Sequence, residues 1–110
     1  MTTNGIKWSD GSTPWNGEFQ GNGFGSDVSI IFTRLDKPGG GPALHRHPYS
    51  ETFLVRKGAV RFTVGDECLD VVAGEIVVVG ADTPHCFTSV SDDVEMIDIH
   101  ASRRFITDWL

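Results

Sequence analysis

From Val28 to His100 the chain falls into short runs of strand-forming residues, each closed by a turn signal. The runs are Val28 to Leu35, Ala43 to His47, Thr52 to Arg56, Ala59 to Val64, Cys68 to Val72, Ile76 to Val79, His85 to Val90 and Val94 to His100. Between them stand Lys37-Pro-Gly-Gly-Gly-Pro42, Lys57-Gly58, Gly65-Asp66, Ala73-Gly74, Gly80 to Pro84 and Ser91-Asp92-Asp93. Strands this short and this evenly punctuated must manage their edges by closure or by a double sheet. The pattern therefore predicts an all-β sandwich or barrel. At 110 residues there is material for one core, so the whole chain reads as a single domain. Residues 1–27 read as an ordered N-terminal arm, because Trp8, Trp15, Phe19 and Phe24 are too dense for a disordered tail. Residues 28–100 form the barrel. In the tail, residues 101–110, the spacing of Phe105, Ile106, Trp109 and Leu110 predicts a terminal helical turn or two.

One run carries residues that a strand does not need. His45 and His47 stand two apart, and side chains alternate faces along a strand, so both imidazoles point to the same side. Glu51 follows after Pro48 and a short polar stretch, and it shares parity with the apolar Phe53 and Val55. The chain is expected to turn and bring Glu51 back beside the histidine pair on the inward face. A carboxylate and two imidazoles buried without partners are costly, and a bound cation satisfies all three together. His85, which opens a later run and shares a face with Phe87 and Ser89, supplies a fourth ligand. Three imidazoles and a carboxylate suit one divalent transition metal ion, whether Fe, Mn, Ni, Zn or Cu.

The same residues resemble the cupin superfamily. Its first motif, G-x5-H-x-H-x3-E-x6-G, is matched without a gap by Gly39, His45, His47, Glu51 and Gly58. Its second, G-x5-P-x-G-x2-H-x3-N, is matched at Gly74 and His85, with Gly80, Asp82 and Ser89 standing at the other three positions. None of the three departures removes a ligand, and Asp takes up some of the turn conformations that Gly supplies. The resemblance implies a double-stranded β-helix, the jelly-roll barrel, with a metal held by His45, His47, Glu51 and His85.

Four protein ligands on one side of the ion leave coordination positions for water, dioxygen or a chelating substrate. Phe53, Val55, Phe62, Val64 and Phe87 are expected to wall a pocket for a small organic molecule gripped through oxygen atoms, such as an aromatic, a diketone or an enol. With a redox ion the resemblance implies a metal-dependent dioxygenase; with zinc or nickel it implies an isomerase or lyase, Glu51 then serving also as proton acceptor. The alternative is a non-catalytic binding or sensor module, because the fold alone does not assign an activity. The discriminating feature would be an inward acid or base beyond the ligands, for which Tyr49, Asp98 and His100 are the candidates. Parity leaves open which face of the Val94 to His100 strand is inward, and His100 reads first as a structural or surface residue.

Charge narrows the partners. A net charge of -6, with no basic cluster beyond Arg56-Lys57 and Arg103-Arg104, argues against a nucleic-acid surface. No apolar run is long enough to span a bilayer, and the first residues lack the regions of a signal peptide, so a cytoplasmic protein is expected. Cys68 and Cys86 match no metal or redox spacing and read as buried or semi-buried thiols. The aromatic arm and the Phe105, Trp109 and Leu110 tail offer more apolar surface than so small a barrel covers by itself, which predicts a homodimer.

Overall fold

The computed structural model describes residues 5–9 and 15–110; residues 1–4 and 10–14 of the expected arm lie outside the described residues. The strands are β1 (Gly17–Phe19), β2 (Ser29–Leu35), β3 (His45–Arg46), β4 (Glu51–Lys57), β5 (Ala59–Val64), β6 (Glu67–Val72), β7 (Ile76–Val79), β8 (His85–Ser89), β9 (Val94–His100) and β10 (Asp108–Trp109). They form two five-stranded sheets, ordered β1-β2-β9-β4-β7 and β10-β3-β8-β5-β6. All pairings between them are antiparallel. Among the described residues no helix is long and apolar enough to cross a membrane. This is the jelly-roll architecture expected of the sequence.

Period-two alternation decides which side chains meet between the sheets. Along β9, Val94, Met96, Asp98 and His100 are buried while Glu95, Ile97 and Ile99 are half-buried. Along β4, Glu51, Phe53 and Val55 turn inward. At one end of the sandwich the interior is apolar: Phe53 and Phe62 cross edge to face at 4.9 Å, with Val60, Val94 and Met96 fully buried around them. At the other end the inward positions are polar, and there the candidate site lies.

Two glycines shape the connections, Gly58 at the apolar end and Gly41 beside β8. Gly58, at φ 85°, passes the chain from one sheet to the other, and a Cβ there would come within 2.9 Å of Val94. Gly41, at φ 145°, lies so close to β8 that a Cβ would overlap the Phe87 carbonyl oxygen.

The tail corrects the helical expectation. Asp108 and Trp109 pair with Arg46 and His45 as an edge strand, and Leu110 N–H donates to Leu44 O at 3.1 Å. Extended backbone wins because β3 has a free edge there, and its pairing satisfies amide groups that a single helical turn would leave open. The arm joins the same architecture: β1 pairs with β2, and Trp8 stacks on Phe32 at 3.9 Å with Trp15 edge-on. Both cysteines are free, but Cys68 is exposed rather than buried, since β6 is an edge strand with one face in water.

Candidate metal centre

Both sheets contribute to the polar end. His45 on β3 sits directly opposite His85 on β8, and Glu51 on β4 directly opposite His100 on β9. His47 follows β3 by one residue. All five side chains are buried. His85 is delivered by a tight turn in which Asp82 adopts φ 61° and its N–H donates to His47 O at 2.7 Å. Asp thus takes the left-handed conformation as expected at that motif position. Ser89, the other departure, is a structural tie: its hydroxyl donates to Lys37 O at 2.8 Å and accepts from Gly40 N–H at 3.0 Å.

Three backbone carbonyls set the tautomers of the imidazoles. His45 Nδ1–H donates to Ala43 O at 2.7 Å, His47 Nδ1–H to Ile106 O at 2.8 Å, and His85 Nδ1–H to Thr83 O at 2.8 Å. A carbonyl only accepts, so each Nδ1 carries the proton and each neutral ring presents its Nε2 lone pair. Those lone pairs converge: ligand atoms of His45, His47, Glu51 and His85 all lie within 4.8 Å of one another. Glu51 Oε1 is 3.1 Å from His47 Nε2 and 3.0 Å from His85 Nε2.

The His85 contact has hydrogen-bond geometry, whereas the His47 contact does not. His47 Nε2 is buried with no hydrogen-bond partner, because its approach to Glu51 is close but misdirected. Without an ion, burial pushes the Glu51 carboxyl up, but the imidazoles of His100, His47 and His85 outweigh it and hold it below the usual carboxylate range. His45 is lowered, chiefly by burial; His85 is raised, because Glu51 overcomes its burial. The residues therefore suit a divalent cation.

A second group adjoins the first. His100 Nε2 lies 3.1 Å from both Glu51 Oε2 and Asp98 Oδ1, and its Nδ1 is 2.7 Å from the Tyr49 hydroxyl. Burial works against charge on His100, yet Asp98 and Glu51 push it up to about 11. Asp98 is raised to about 6, mainly by burial. Tyr49 also accepts from Ile106 N–H at 3.1 Å, so the tail is fastened to the site through two residues. His100 is thus inward and not at the surface. Both faces of β9 carry apolar residues, so parity by itself could not show it; pairing β9 beside Glu51 would have.

A cavity of about 430 Å³ opens beside the centre. Of the five expected wall residues, Phe87 alone lines it. Phe53, Val55 and Phe62 belong to the apolar core at the far end, and Val64 packs against that core. They share the inward face with the ligands but lie deeper, beneath the metal level. The walls instead include Ile31, Thr33, Phe105 and Trp109, with Glu18 at β1. No sequence period points to the last three, because their strands are short or absent and their places are set by tertiary contact.

Fold and residues together define a jelly-roll barrel with a buried three-histidine, one-glutamate centre suited to a divalent metal. Residues 33–100 match the family model described as Cupin domain, more than half of the chain, and the chain belongs to the cupin family. No curated protein matches it. Among solved structures it is similar to oxalate decarboxylase from Bacillus subtilis at pH 4.6, with 23% identity, a TM-score of 0.76, and coverage of 86% of this chain and 27% of that one. A structure concerned with the Mn(II) centres of the same decarboxylase matches at 23% identity and TM-score 0.73, covering 82% and 26%. A conserved protein of unknown function from Streptococcus pyogenes matches at 22% identity and TM-score 0.59, covering 72% and 65%. This chain spans about a quarter of the decarboxylase's length, 27%. At these identities the likeness is one of fold.

Proposed function

We propose that this cupin holds one divalent transition metal ion through His45, His47, Glu51 and His85 and binds a small oxygen-bearing organic molecule in the adjoining cavity. The observation that carries the reading is the convergence of three Nε2 lone pairs, each fixed by a backbone carbonyl on its Nδ1–H, upon one buried carboxylate. Bound there, such an ion supplies Lewis-acid or redox chemistry at a ligand oxygen, as in a dioxygenase or an isomerase or lyase.

The chain's own groups divide the remaining tasks. Phe87, Phe105 and Trp109 confine the organic body and limit water. Three groups can move a proton: Glu51, His100 and Tyr49. His100 is the best placed, because it borders the cavity, touches Glu51, and is oriented from behind by Tyr49 and from the side by Asp98. An inward acid or base beyond the ligands is the feature that favours an enzyme over a passive binding module.

Metal analysis of protein purified without chelator tests the centre: near-stoichiometric metal is expected in the wild type and a trace in His47→Ala. His100→Gln is expected to keep its metal while losing turnover, followed as oxygen uptake or substrate loss across a panel of small enols. Metal absent from the wild type after reconstitution overturns the metal reading; full turnover in His100→Gln removes that residue's role. The chain is further proposed to act as a homodimer. The outer face of β4 and β7 supports this, with Leu54 half-buried beside Ile76 and Val78, which are 61% and 64% exposed.

A further inference from the structure

We propose that the cavity selects a chelating organic ligand whose tail is neutral or cationic and rejects one whose tail carries a further negative charge, a charge rule that rests on the metal-site reading above and adds the substrate class to it. The argument begins with what the cavity wall lacks. Neither lysine nor arginine lines it. All nine Lys and Arg of the sequence lie among the described residues, so none is hidden in residues 1–4 or 10–14. Five of the nine are committed elsewhere: Arg34 to Asp36, Asp93 and Glu95, Arg46 to Asp108, Arg56 to Glu95, Arg61 to Asp70, and Arg103 to Asp27. The other four, Lys7, Lys37, Lys57 and Arg104, are exposed and outside the cavity lining.

Carboxylates are present instead. Glu51 and Asp98 are buried in the floor, and Glu18 looks in from β1 with no ion pair among the described residues. Register places Glu18 there, since it pairs with Ile31, itself a wall residue opposite Asp98. Three carboxylates against one divalent ion leave no surplus positive charge. A monoanionic chelating head on the ion takes the balance further down, and a second carboxylate would meet only acids and aromatic faces. A dicarboxylate such as oxalate therefore finds no partner for its distal end. An ammonium finds two: Glu18, and the faces of Phe87, Phe105 and Trp109, which attract cations through their quadrupoles.

Three catechols with one chelating head and different tails isolate the charge: dopamine as the cation, 4-methylcatechol as the neutral form, and 3,4-dihydroxyphenylacetate as the anion. Binding is followed calorimetrically under oxygen-free conditions, to nickel-loaded and to metal-free protein, with nickel content measured separately. Dopamine and 4-methylcatechol are expected to bind the wild type roughly tenfold or more tightly than the anion. In Glu18→Lys, an exchange at an exposed edge-strand position, that order is expected to invert while nickel content stays unchanged. Anion binding equal to or tighter than the others in the wild type overturns the rule, as does an order indifferent to Glu18→Lys, or no binding of any probe to either form. Protein that fails to take up nickel refutes the metal-site reading instead, and the metal-free arm still measures the charge order.

Discussion

At φ 61°, Asp82 holds a backbone conformation that few side chains tolerate, and the turn it closes aims His85 at the other ligands. Asp82→Gly is expected to leave stability within about 0.5 kcal/mol, since glycine adopts this conformation freely. Asp82→Val is expected to cost about 1–3 kcal/mol, because a β-branched side chain there is strained. Urea denaturation measures both, and a valine variant as stable as the glycine one would show that the turn tolerates rearrangement. The ligands were legible at this scale because each left a chemical anomaly in the sequence: two histidines on one strand face, and a glutamate in phase with Phe53 and Val55. Asp98 and His100 were not, because their strand alternates between two apolar faces. Ile97 and Ile99 look like core but lie on the outside, half-buried, beside Ile30, Phe32 and Leu54.

The elements from β4 to β9 could be read in advance because period-two alternation and turn residues agree there. The two shortest, β1 and β10, carry no alternation to read and exist by pairing with β2 and β3. For the tail this pairing outweighed the helical spacing of Phe105, Ile106, Trp109 and Leu110. The consequence is chemical, since Ile106 O is the acceptor that fixes the His47 tautomer and Ile106 N–H anchors Tyr49. A chain lacking residues 106–110 is expected to keep its circular dichroism, because the apolar core lies at the opposite end. Its metal affinity, measured by chelator competition, is expected to fall about 10- to 100-fold, the usual effect of losing a residue that orients a ligand. Unchanged affinity would mean that water or another carbonyl replaces Ile106.

Over the whole molecule, the outer face of the β1-β2-β9-β4-β7 sheet carries an apolar band of Ile30, Phe32, Ile97, Ile99 and Leu54, bordered by the Arg34 and Arg56 ion pairs with Glu95. Trp8 and Trp15 cover it at Phe32, while the β7 end is left bare at Ile76 and Val78. A second copy packed on the bare end would bury both. Light scattering is expected to give twice the 12.0 kDa chain mass for the wild type, and the single mass when Ile76 and Val78 are both replaced by Lys. A wild-type mass of one chain would dismiss the dimer.

Glu51 belongs to one sheet and His45 and His85 to the other, so an ion shared among them is also a fastener driven through the sandwich. It closes a loop between positions 51 and 85 much as a cross-link would, but one that can be withdrawn by a chelator. Removing it should leave the Phe53 and Phe62 end tight and let the polar end breathe. In amide hydrogen exchange, protection would then drop along β3, the start of β8 and the last residues of β9, while β5 would hardly change. The barrel's two ends would thus differ in how firmly they hold without their ion, one closed by apolar packing and the other by charge.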